Sequence, residues 1–173
     1  MRTSKFAAAL MAAVALSAAV AAGAAAATLS PSYQVGGAAF GGSQGTTSSF
    51  TGFAFGSLGD RGLWRTTFTH DPFTACSTVG SSCAISDGTF GLTSSNRLQL
   101  TASIVDGSMT LSSQGPGCGR QQYTVDADAV TPMGGDYQLN AVVTTLRVPF
   151  RGSCLVLATT VQGTLAVATV AGG

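Results

Sequence analysis

Arg97-Leu98-Gln99-Leu100-Thr101-Ala102-Ser103-Ile104-Val105-Asp106-Gly107-Ser108-Met109-Thr110-Leu111-Ser112 alternates apolar and polar side chains on both sides of an Asp-Gly pair. In an extended chain, Leu98, Leu100, Ala102 and Ile104 share one face, and Arg97, Gln99, Thr101 and Ser103 share the other. A period of two with one apolar face is the mark of a sheet packed on one side and wetted on the other. Asp106-Gly107 is a tight-turn signal, and Met109 and Leu111 resume the alternation, so the stretch reads as a hairpin over 97–112.

The same pattern recurs outward from this segment. Leu63 to His70 sets Trp64, Thr66 and Phe68 against Arg65, Thr67 and Thr69, and Ala84 to Thr93 carries Phe90 and Leu92 after a bend expected at Asp87-Gly88. Gln121 to Ala127 and Asp136 to Arg147 alternate likewise, and Cys154 to Val161 with Thr164 to Val170 reads as a last hairpin around Gln162-Gly163. Asp87-Gly88-Thr89-Phe90 echoes Asp106-Gly107-Ser108-Met109, with a fainter copy from Gln162-Gly163. The copies lack the fixed period of a solenoid and read as one turn-plus-strand device used again. About nine strands joined by short links predict an all-β domain, a single antiparallel meander closing into a barrel, with a β-sandwich as the alternative.

The flanks divide the chain further. Arg2 and Lys5 precede an uncharged, Ala-rich run from Phe6 to Ala27 that ends in small-x-small triplets such as Ala25-Ala26-Ala27. That layout predicts a cleaved signal peptide over 1–27 and a secreted product, extracellular or in the cell-envelope space. Residues 28–49, with Gly36-Gly37 and Gly41-Gly42, read as a Gly/Ser-rich arm holding one strand near Tyr33 to Val35. The all-β domain is expected over 50–173.

Beyond residue 27 there are six Arg, seven Asp, no Lys and no Glu. So thin and balanced a charge set argues against a nucleic-acid partner and against electrostatic membrane attachment. Membrane insertion as a β-barrel is disfavoured because the aromatic girdles of such barrels are missing from the pattern. Ser, Thr and Gln must keep the surface wet, and the shortage of Lys and Glu suits helices poorly.

Cys76, Cys83, Cys118 and Cys154 are an even set, read as a disulfide framework in an exported chain. Three pairings exist; the favoured one is Cys76–Cys83, flanking a turn-like Ser77 to Ser82, with Cys118–Cys154. A zinc site would need close Cys pairs and further His, so no metal and no cofactor are expected.

Chemistry-bearing residues are few. His70 is the only histidine, beside Asp71-Pro72 on the face that carries Trp64 and Phe68. Any general acid–base step would depend on it, on Asp or on Tyr. Gly41-Gly42-Ser43-Gln44-Gly45 fits the serine-hydrolase elbow formally, but no strand-to-helix turn surrounds it. Asp126, Asp128 and Asp136 match no calcium-loop spacing. Gly62-Leu63-Trp64 resembles the Gly-x-Trp start of lipocalin- and avidin-like barrels, in which the Trp packs across the closed end. No second motif of those families accompanies it, and no ligand follows from it.

No catalytic residues are assigned. The expected function is a non-enzymatic binding module for a small molecule, a glycan or a protein, with Trp64, Phe68 and His70 as candidate ligand-binding residues. One alternative is a structural, self-associating envelope protein of open oligomeric state. A second is an enzyme centred on His70.

Overall fold

The computed structural model describes residues 30–39, 45–95 and 99–167. The proposed signal peptide, the sequence 40–44 and the last residues lie outside them. Eight antiparallel strands follow one another around a closed barrel: β1 (Ser32–Ala39), β2 (Thr47–Gly56), β3 (Arg61–His70), β4 (Ser82–Ser94), β5 (Gln99–Gln114), β6 (Gln121–Val130), β7 (Asp136–Phe150) and β8 (Ser153–Val167). Each strand pairs with its neighbour in sequence, and β1 closes the ring on β8, from Ser32↔Ala166 to Ala38↔Thr160.

The count is eight rather than nine because two expected turns, Asp106-Gly107 and Gln162-Gly163, are inside strands, while β2 adds a strand that alternation did not mark. Asp106-Gly107 lies within β5, Asp87-Gly88 within β4 and Gln162-Gly163 within β8. These glycines are points of close approach. A Cβ on Gly107 would sit 2.6 Å from the Asp126 carbonyl oxygen and 2.9 Å from Ala127 Cα; one on Gly88 would meet Thr67 and Phe68, and one on Gly163 would meet Asn140 and Ala141. Lacking that atom, each lets its long strand lie close against the neighbouring backbone, as a tightly closed barrel demands. The register of β5 against β6 also slips between Ile104 and Asp106, and that of β3 against β4 between Thr69 and His70. One extra residue moves the buried set of β5 from Leu100, Ala102 and Ile104 to Met109 and Leu111.

The stretch expected to be a lead-in arm supplies β1 and the first residues of β2. Gly37 and Gly52 are register partners, and a Cβ on Gly37 would strike the β2 backbone. The glycines that made this segment look loose let two strands lie close.

Most inward positions are apolar, from Val35 on β1 through Phe50, Trp64, Phe90, Ile104, Val125 and Leu139 to Leu165 on β8, with Ser48, Thr66, His70, Ser94 and Gln121 buried among them. Eight strands leave an interior that such side chains fill. Outward positions are mainly Thr, Ser, Gln and Asp, with apolar exceptions such as Phe53, Phe55 and Leu63 on β2 and β3 and Leu155 and Leu157 on β8.

The end that holds the start of β1 is closed by a polar knot. The Tyr33 hydroxyl donates to Asp60 Oδ2 at 2.7 Å, and the Ser30 hydroxyl donates to Asp60 Oδ1. Burial, then the hydrogen bond and negative charge of Asp60, push Tyr33 up to about 12. Burial works against the Asp60 charge, but the two donated hydrogen bonds outweigh it and hold the carboxyl below its ordinary value. A tyrosine raised on folding contributes stability that is complete below the unfolded value and is lost as pH rises through the folded one. The urea midpoint should therefore fall between about pH 10 and 12, and Tyr33→Phe should flatten that fall. An unchanged slope in the variant would assign the loss elsewhere.

Both expected disulfides are present, Cys76–Cys83 and Cys118–Cys154, and no free cysteine remains. Such a set is compatible with an oxidising compartment. Both lie at the opposite end of the barrel from the knot. The first ties the 71–81 segment down onto that end; the second ties the 115–120 link to the β7–β8 hairpin, which turns at Arg151-Gly152.

Candidate functional site

Of the three residues singled out for ligand binding, Trp64 and Phe68 are packed in the interior, each 1% exposed. Trp64 stacks on Phe90 with ring centroids 6.0 Å apart, and its indole N–H donates to the Gly36 carbonyl at 3.2 Å. Phe68 stacks on Phe50 at 5.8 Å and meets the edge of His70 at 6.0 Å.

His70 ends β3 at the disulfide-bonded rim, buried between Phe68 and Phe73. The carbonyl of Asp71 lies 2.6 Å from Nδ1, and the Ser48 hydroxyl lies 3.0 Å from Nε2. A carbonyl can only accept, so Nδ1 carries a proton and donates to it, while Nε2 shares a second hydrogen bond with the Ser48 hydroxyl. The Asp71 carboxylate does not serve the imidazole; it accepts from the Ala84 amide at 3.0 Å. The His70–Asp71 side-chain pair considered from sequence is thus replaced by a His70–Ser48 pair. Ser48 hides in a Ser/Thr-rich run, where nothing in the pattern distinguishes it.

At the same rim, beyond Phe73, the barrel mouth opens into a cavity of about 410 Å³. Phe73, carried on the 71–81 segment, forms one wall, its ring 4.6 Å from His70 and 5.8 Å from Tyr123. Gln114, Gln121, Tyr123, Thr145, Arg147 and Val156 complete most of the lining, which contains no carboxylate. The Tyr123 hydroxyl donates to Gln121 Oε1 at 3.3 Å. Burial raises Tyr123 above the ordinary phenol range, opposed in part by the positive charge of Arg147. The Nε of Arg147 is buried without a hydrogen-bond partner. Deeper in, a cavity of about 30 Å³ is lined by Ser48, Phe50 and Val143 and shares Phe73, Tyr123 and Thr145 with the outer one. It is large enough for a water.

Phe73, Gln121 and Arg147 were not singled out from the sequence. For Arg147 the signal exists: the inward series Leu139, Ala141, Val143, Thr145 reaches it by steps of two, at the rim, where a charged tip is tolerated. Phe73 lies on a connection, where periodicity has no reach.

Two apolar surfaces lie elsewhere. Phe53, Phe55 and Leu63 project from the outer face of β2 and β3, bordering a shallow groove edged by Arg61. Leu146, Phe150, Leu155 and Leu157 are exposed on the β7–β8 hairpin near its turn. The aspartates weighed for calcium are apart: Asp126 and Asp128 point outward from β6, and Asp136 starts β7. Among the described residues, no three acidic, His or Cys side chains gather into a metal-binding group.

Comparison of the chain with known protein families, with curated proteins and with solved structures returned no match.

Proposed function

We propose that this is a secreted, non-enzymatic binding module that takes a small, largely flat molecule in the barrel mouth at its disulfide-bonded end. The observation that carries this reading is the cavity of about 410 Å³, walled by Phe73, Tyr123 and Val156 and edged by Gln114, Gln121, Thr145 and Arg147. An apolar pocket of a few hundred cubic ångströms with a few converging polar groups is the usual form of a small-molecule site. The interior is filled by its own side chains, so the mouth takes precedence over a central cavity. The outer groove beside Phe53 and Leu63 offers apolar area and few polar groups to fix an orientation.

Titrating the protein with 2-naphthoate and following backbone amide resonances tests this. Saturable shifts should cluster at Phe73, Gln121, Tyr123 and Thr145. Shifts confined to Phe53, Phe55 and Leu63, or none that saturate, would remove the mouth as the site.

A further inference from the structure

We infer that the molecule held in the mouth carries an oxyanion, a carboxylate or a sulfonate or phosphate group, received by Arg147; this rests on the mouth being the binding site. A guanidinium stays protonated at any working pH and presents a planar fork of donors. Here that fork stands in a cavity whose lining holds no acid, and its Nε is buried with no partner. Buried donors are almost always satisfied, and an unsatisfied one calls for a missing partner. The acceptor that fits a guanidinium best is an oxyanion with two oxygens to offer.

The neighbouring groups agree. Tyr123 spends its hydroxyl proton on Gln121 Oε1, which leaves the Gln121 amide N–H₂ as a second donor at the rim. Arg120 stands at the same end of the barrel, on the 115–120 link. The acid at this end, Asp71, is engaged by the Ala84 amide. The local field therefore favours an anion although the chain as a whole is near neutral. Phe73 and Val156 supply apolar walls for the body of the ligand, so the class is an aryl or alkyl acid rather than a free inorganic ion.

The test compares 2-naphthoate with its neutral isostere 2-naphthamide by calorimetry, on the wild type, Arg147→Gln and Arg151→Gln. Wild type should bind the carboxylate about tenfold more tightly or better, the usual scale of a charge-assisted pair. Arg147→Gln should erase that preference while keeping the amide's affinity, and Arg151→Gln should change either by no more than about twofold. In wild type, the Arg147 Nε–H resonance should move downfield with the carboxylate and stay still with the amide. This measurement needs no variant and stands if Arg147→Gln fails to fold. Equal affinity for the two probes, with shifts at the mouth, would overturn the anion inference and leave the mouth reading intact. Failure of both probes to saturate at the mouth would sink both.

Discussion

Gly107→Ala should destabilise the protein by about 3 kcal/mol, enough to shift the urea midpoint far below that of the wild type. The added methyl would meet the Asp126 carbonyl oxygen at 2.6 Å and the Cα and Cβ of Ala127 at 2.9 Å. All three atoms belong to a paired strand in the middle of the barrel, so no flexible side chain can swing away. The close pairing of β5 with β6 would have to open beside the register slip, and the buried sets on either side of it would lose their common interior. Gly36→Ala is the control. A Cβ there meets nothing within 4 Å, and the loss of chain entropy in the unfolded state makes the change neutral or slightly stabilising. Midpoints that drop equally for the two variants would show that glycine matters through flexibility and not through close approach.

The second large effect is expected at Trp64. Trp64→Ala should cost about 4 kcal/mol, measured by urea unfolding followed in the far ultraviolet, since the chain has one Trp. Three losses add up: the stacking on Phe90, the hydrogen bond to the Gly36 carbonyl, and a cavity whose rigid walls cannot collapse inward. Phe53→Ala, on the outer face and 63% exposed, should cost no more than about 0.5 kcal/mol. Comparable losses at the two positions would mean that the outer aromatic is covered in solution.

Much of the barrel was legible from alternation alone, because inward and outward positions differ so sharply in polarity. Leu100, Ala102, Ile104, Met109 and Leu111 were all assigned to the packed face and all lie there. The error at Asp106-Gly107 has a physical reason. A two-residue turn and a bulge beside a close-approach glycine both break the parity of an alternating run. From residue types alone, Ile104 followed by Met109 is compatible with either. Only the partner strand decides, since close approach of the β6 backbone is what requires glycine at 107. The β1 segment was obscured for a related reason: Gly36 and Gly37 have poor strand propensity, and their value lies in contact with β2.

The mouth was less legible. His70 drew attention as a lone imidazole, yet its partners, Ser48 and the Asp71 carbonyl, come from another strand and from the backbone. Phe73 reaches the site on a connection fixed by Cys76–Cys83. Of the three pairings open to four cysteines, the one favoured on the short 76–83 separation is the one present.

The closure of β1 on β8 gives the barrel a seam unlike its other joints. Seven of the eight pairings join consecutive strands, so each can form as a hairpin added to the last. The seam joins the first strand to the final one, and its chain-entropy cost depends on nearly the whole sequence. Assembly can therefore proceed as a growing curved ribbon with two raw edges, and becomes a barrel in a single late event. Until that event the inner faces of β1 and β8 are exposed together, and the ribbon is at its most adhesive toward other unfinished chains.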